Sequence, residues 1–239
     1  MQPTTSSITL AARIINLIAP RRCVVCGRRL AVTERVLCTV CNNSLPRTGY
    51  AADASENDIA ELFYHLLPIE RAAAWFFYQP HSPVSRIIYS LKYRGRRYIG
   101  SEIGAIMAQE FVSHDFFLGI DLIVPVPLAK RRRRERGYNQ STEIARGISY
   151  VTGLPIVDKA VRRRLSAVNN ASLSGRRQRM ENVEGVFSVV DTAALEGRHI
   201  LIVDDIVTTG STILSLCQEI KSHVTGVTFS VLAIGFTKA

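Results

Sequence analysis

The stretch HILIVDDIVTTGSTILSLCQEI, residues 199–220, constrains the fold more than any other part of this sequence. Ile200 to Val203 offer no polar face, so a strand built from them needs apolar cover on both sides, as the central strands of a parallel sheet have. The run passes through two acids into small hydroxyl residues and a glycine. A helical pattern follows, with Ile213, Cys217 and Ile220 on one face. Strand, tight loop and helix in this order form the repeating unit of an α/β fold.

The same alternation extends along the chain. AAAWFFY (72–78) reads as a strand and SPVSRIIYSLKY (82–93) as a helix with Ile87, Ile88 and Leu91 inward. YIGSEIGAIMAQEFV (98–112) has helical spacing at Ile99, Ile103, Ile106 and Phe111. DLIVPVPL (121–128) is a second apolar strand, followed by a basic loop, AKRRRRERGYNQ, and a helix carrying Ile144, Ile148 and Val151. GVFSVV (185–190) is a further strand after an arginine-rich stretch at 162–182, and VTGVTFSVLAIGF (224–236) closes the domain. The expectation is a mostly parallel sheet flanked by helices. Ligands of such sheets bind outside the carboxyl ends of the strands, so the loops after Pro125 and after Asp205 should border one crevice.

The 239 residues suffice for one such domain and a small appendage. We divide them into residues 1–70, holding an N-terminal helix (Ile8 to Ile18), a metal ribbon and a linker, and residues 71–239, the α/β domain. The ribbon is Cys23, Cys26, Cys38 and Cys41, spaced Cys-x2-Cys-x11-Cys-x2-Cys. Two such knuckles can close a tetrahedral, structural Zn2+ site, and Gly27 allows the positive φ that a knuckle turn wants. Two disulfides or a redox dithiol are the competing readings. Nothing approaches the roughly 18 apolar residues of a membrane span, and the start lacks the charge pattern of a secretory signal, which points to a cytoplasmic protein.

Lys and Arg number 30 against 20 Asp and Glu, a formal charge of +10 that favours an anionic partner: nucleic acid, a phosphorylated ligand or an acidic membrane surface. The loop after the Ile200 strand suits a phosphate. Backbone N–H groups at a helix start and the hydroxyls of Thr208, Thr209, Ser211 and Thr212 are donors, and Gly210 lets the chain curl around an anion. Asp204 and Asp205 would repel a phosphate but suit vicinal hydroxyls or a cation. Capping a turn would be their purely local role.

Residues 200–212, four apolar residues, Asp204-Asp205, Ile206-Val207 and Thr208-Thr209-Gly210-Ser211-Thr212, resemble the ribose-phosphate signature of the type I phosphoribosyltransferases. With the four-cysteine ribbon, LKYRGRR (91–97), PVPLAKRRRRERGYNQ (125–140) and RQRMENVEGVF (177–187) in the same order, nearly the whole chain is similar to the competence protein F (ComF/ComFC) family. That resemblance implies a phosphoribosyltransferase-like fold with a zinc ribbon, and a site for phosphoribosyl diphosphate with Mg2+. Asp204 and Asp205 would face the ribose hydroxyls and serve as the catalytic acids of any transfer, and residues 208–212 would surround the 5′-phosphate. Lys92, Lys130 and Arg131, with Arg94 and Arg96, are candidates for the diphosphate. The chain departs from the family pattern at VNNASLSG (168–175), where a Thr and a Gln are usual: either Asn169 or Asn170 replaces the Gln, or that contact is absent.

The resemblance also implies a role in DNA uptake during natural transformation, with single-stranded DNA and other DNA-uptake or recombination proteins as partners. Tyr93, Arg94, Arg96, Arg132, Arg133, Arg136 and Tyr138 interleave rings with cations, as a groove for single strands requires, and Tyr98 lies beside them. A solvated loop with core tyrosines would give the same pattern. The alternative function is an active phosphoribosyltransferase in base or nucleotide salvage, for which no acceptor pocket or general base is legible.

Overall fold

The computed structural model describes residues 20–93, 95–164 and 185–238. In chain order the elements are α1 (Thr39–Ser44), α2 (Asp58–Glu61), β1 (Ile69–Phe77), α3 (Pro83–Tyr93), α4 (Arg97–Val112), β2 (Leu122–Pro125), α5 (Lys130–Arg136), α6 (Gln140–Thr152), β3 (Val161–Arg163), β4 (Phe187–Val189), β5 (His199–Val207), α7 (Ser211–His223) and β6 (Thr228–Phe236). The N-terminal helix expected at 8–18 and most of the 162–182 stretch lie outside the described residues.

Four strands form a wholly parallel sheet in the order β1-β6-β5-β2. The two-residue period of a strand explains why their sequences are apolar throughout. Leu201, Val203, Ile123, Trp75 and Leu232 point to one face, where they meet α3, α4 and α6. Ile200, Ile202, Val124, Ala74 and Val231 point to the other, against α2 and α7. Every residue from Ile200 to Val203 is fully buried.

On the first face α4 and α6 approach until their backbones touch. A Cβ at Gly104 would lie 2.2 Å from the Ile144 carbonyl oxygen, and one at Gly147 would lie 2.0 Å from that of Ser101. The small residues are therefore required by the contact. The cysteine segment packs on this face too: Val25, Leu30, Val36 and Leu37 share one apolar cluster with Ile87 and Ile103. Arg86 Nη1 donates to the Val25 carbonyl at 2.7 Å, and Arg35 pairs with Glu102 at 2.9 Å.

Several local expectations need adjustment. The stretch 46–70 does hold a short helix, but its start runs along the sheet edge, with Arg47 bridged to Phe76 and stacked over the rings of Trp75 and Phe76. β1 begins at Ile69, ahead of Arg71. GVFSVV does not join the main sheet: β4 pairs antiparallel with β3 in a separate two-stranded ribbon. The basic loop is a helix, α5. Its Lys and Arg residues are good helix formers, Arg131 and Glu135 pair at i,i+4, and Gly137 at φ +77° closes it by donating its N–H to the Arg133 carbonyl.

Candidate ribose-phosphate crevice and four-cysteine centre

β5 runs past its acids to Val207 and stays paired to β6, so Asp204 and Asp205 project from the last turns of a fixed strand. They face the start of α6. There Asn139 caps the helix, accepting from the Ser141 N–H and donating to the Val126 carbonyl at the end of β2. Ser141 Oγ in turn donates to Asp204 Oδ1 at 3.1 Å, and the Asp205 N–H donates to the same oxygen at 2.8 Å. Lys92, in the last turn of α3, pairs with Asp205 at 2.8 Å. Burial first, and then the charge of Asp205, push the Asp204 carboxyl up to about 7.

These groups line a crevice of ≈ 280 Å³, bordered as expected by the loops after β2 and β5. Lys92, Arg132, Arg136 and Arg163 set four cations against the two acids, and Thr208 and Thr212 stand at the far end. Burial, and then the charge of Arg132, hold the Arg163 guanidinium below its usual value. Lys92 is paired with Asp205, so the two acids leave the crevice with an excess of positive charge. Gln140, also in the wall, is 2% exposed, and its amide nitrogen has no hydrogen-bond partner.

Past Val207 the chain turns at Gly210, φ +71°, into α7 with no side chain capping the helix. The first N–H groups of α7 therefore face the hollow lined by Thr208, Gly210, Ser211 and Thr212. A Cβ on Gly210 would meet the Phe63 ring at 3.0 Å, so both φ and packing require glycine here.

The basic residues sort differently from their order in the sequence. Arg131, expected at the diphosphate, points to Glu135 with its side chain 88% exposed and does not line the crevice; one helical turn instead brings Arg132 and Arg136 to it. Lys130 and Arg133 line a neighbouring cleft of ≈ 480 Å³ with Arg97, Arg162 and Arg163. Tyr93 and Arg96 line a third cavity, on the other side of Lys92. Tyr138 is not a stacking platform: its ring is buried and its hydroxyl donates to the Leu91 carbonyl at 2.6 Å. Arg94 lies outside the described residues, as do Asn169 and Asn170. Ser141, Gln140 and Arg163 were missed by sequence reasoning. Only Ser141 and Gln140 had a signal, as the first turn after the Asn139 cap.

The four cysteines converge, their sulfur atoms all within 4.8 Å of one another. Four sulfurs about 2.3 Å from a central zinc stand about 3.8 Å apart, and Cys26 and Cys38 Sγ are 3.8 Å apart. Cys38 Sγ caps α1 by accepting the Cys41 N–H, and Cys23 Sγ accepts the Cys38 N–H, both at 3.4 Å. Burial raises the Cys38 thiol, but donors from Cys41, Cys23 and Cys26 outweigh it and bring it down to about 7. Gly27 makes its turn at φ +74°. The cluster can hold a structural metal of the zinc type.

Among the described residues no helix is long and apolar enough to cross a membrane. Residues 100–227 match the model of the phosphoribosyl transferase domain family. The DNA utilization protein YhgH of Escherichia coli (strain K12) is 30% identical over 212 residues, covering 84% of this chain and 91% of that protein. Competence protein F of Haemophilus influenzae is 24% identical over 213 residues, covering 84% and 90%. Competence protein ComFC of Bacillus subtilis is 32% identical over 94 residues, 38% of this chain and 35% of that one. A parallel sheet with paired acids at the end of β5, a cysteine cluster ahead of it and similarity along most of both chains place this protein in the phosphoribosyl transferase domain family, within its competence protein F/YhgH branch.

Proposed function

We propose that the chain binds phosphoribosyl diphosphate with Mg2+ in the crevice and single-stranded DNA on the basic surface around it, as a handler of incoming DNA in natural transformation. One observation carries this reading: paired carboxylates and four cations line a crevice that shares Asp204, Thr208 and Thr212 with the hollow of the hydroxyl loop. Asp204 and Asp205 would accept from the ribose hydroxyls, Thr208 to Thr212 would donate to the 5′-phosphate, and Arg132, Arg136 and Arg163 would face the diphosphate. Carboxylate and phosphate oxygens are the donors that Mg2+ prefers, so the residues fit the metal, which would neutralise the diphosphate. Lys92 occupies Asp205 in the free protein and would exchange that carboxylate for a phosphate oxygen when the ligand arrives.

The DNA half rests on the +10 charge, on the cationic clefts beside the crevice, and on the names borne by relatives, a DNA utilization protein and two competence proteins. A second reading, an active transferase in salvage, draws on the family match at 100–227 and on Asp204, whose position near neutrality would let it stabilise positive charge at the anomeric carbon or move a proton.

Calorimetric titration of phosphoribosyl diphosphate with and without Mg2+, on the protein and on Asp205→Asn, tests the crevice. Metal-dependent binding lost in the variant is expected, and equal affinity in both overturns the site. Anisotropy of a labelled single strand across a salt series tests the second half, with a log–log slope of about −0.7 for each phosphate held. Diphosphate release stimulated by one base would instead establish the transferase.

A further inference from the structure

A basic cavity larger than the crevice adjoins it. It lies between the cysteine segment and α3, has a volume of ≈ 830 Å³, and is lined by Arg22, Arg86, Lys92 and Arg96 without a carboxylate among the described residues. Tyr89 and Tyr93 project into it, one helical turn apart on α3. The core has no use for them, because α3 buries its other face through Val84, Ile87, Ile88 and Leu91. Tyr89 remains 54% and Tyr93 64% exposed, their ring centroids 4.8 Å apart and the planes inclined by 36°. The guanidinium of Arg136 stands 5.7 Å from the Tyr93 centroid.

Rings held side by side in water, within a cavity lined by cations and no carboxylate, have the two properties a single strand needs: π faces for bases and charge for the backbone. The opposite wall is the first knuckle, Cys26 and Gly27, fixed to α3 by the Arg86 bond to the Val25 carbonyl. The cavity also meets the crevice, since Lys92 and Tyr78 line both. We infer that this cavity is a nucleobase-stacking site, in which a single strand lays bases on Tyr89 and Tyr93 and its phosphates against Arg22, Arg86 and Arg96, leading the strand toward Lys92 and the crevice. Tyr89 and the knuckle wall are thereby assigned to nucleic-acid binding. The inference rests on the strand-binding half of the proposed function and is independent of the sugar-phosphate half.

The test is anisotropy of a labelled oligothymidine of about a dozen nucleotides, with the wild type, Y89A/Y93A and Y89F/Y93F. Both rings are outside the core, so the alanine variant should fold; unchanged thermal unfolding and metal content confirm it. The expected result is an affinity loss of about thirtyfold or more for the alanine variant, little loss for the phenylalanine variant, and an unchanged salt slope, because phosphate contacts remain. An abasic strand of equal length should bind the wild type about as weakly as the alanine variant binds oligothymidine. Undiminished affinity in the alanine variant, or equal binding of the abasic strand, overturns the cavity while leaving DNA binding elsewhere intact. Competition by thymidine monophosphate at concentrations equal to the strand overturns it in favour of a free nucleotide. No strand binding by the wild type even at about 50 mM salt overturns both this and the DNA half of the proposed function.

Discussion

Replacing Asp204 by Asn should stabilise the protein at neutral and alkaline pH while abolishing the site that Asp204 serves. The folded carboxyl titrates at about 7 because it is buried and faces Asp205. Unfolded, it would titrate at about 3.9. A group raised in this way binds its proton more tightly when folded. Its contribution to stability is complete below about pH 4 and is lost as the pH rises through about 7. The gap of roughly 3 units at about 1.4 kcal/mol each sets an upper limit of ~4 kcal/mol. Because the crevice beside the carboxyl opens to water, screening reduces this to ~2–4 kcal/mol. Asn cannot ionise, and its Oδ1 can still accept from Ser141 Oγ and the Asp205 N–H. Urea unfolding of both proteins should therefore show no difference near about pH 4 and an advantage to D204N growing to ~2–4 kcal/mol near about pH 8. The cysteine cluster titrates alike in both and cancels. An advantage that does not change with pH would refute the reasoning, since desolvation and like-charge repulsion act only on the ionised form.

Three further outcomes follow from the geometry. Fresh protein should hold one zinc per chain by metal analysis, and Cys41→Ser should lose it together with the packing of Val36 and Leu37, because the cluster forms part of the core on that face. Gly147→Ala should destabilise by ~3 kcal/mol or more in urea titrations, as its Cβ would meet the Ser101 carbonyl at 2.0 Å and backbone cannot yield as a side chain can. Arg136→Ala should weaken phosphoribosyl diphosphate binding by about tenfold to a hundredfold in calorimetry while Arg131→Ala changes nothing, since only the former lines the crevice.

The parts of the fold that were legible are those in which local pattern and tertiary environment demand the same residues. Ile200 to Val203 could only be a strand covered on both faces, and the two clusters that Leu201 and Ile202 enter are those two faces. The acids and the hydroxyl loop were legible because they lie within one strand–turn–helix unit, where adjacency in sequence is adjacency in space. The arginine run was not. As a loop its residues could not be told apart, and the resemblance suggested Lys130 and Arg131 for the diphosphate; as a helix with a period of 3.6 it turns Arg132 and Arg136 to the crevice, Lys130 and Arg133 to the next cleft, and Arg131 to Glu135.

Tyr93 and Tyr138 show the same limit from another side. Each lies among basic residues, Tyr93 between Lys92 and Arg94 and Tyr138 two places after Arg136, and that charge pattern does not distinguish them. One sits at the end of a helix whose apolar face is already filled and stays in water. The other follows the Gly137 turn, which directs its ring under α3, where the Leu91 carbonyl takes its hydroxyl. Arg163 and Gln140 reach the crevice from elements that neither contain nor adjoin Asp204 in the chain. Arg163 carries no mark of the crevice in its own neighbourhood, so the acids and hydroxyls could be read from one segment while the charge balance could only be read from the assembled fold.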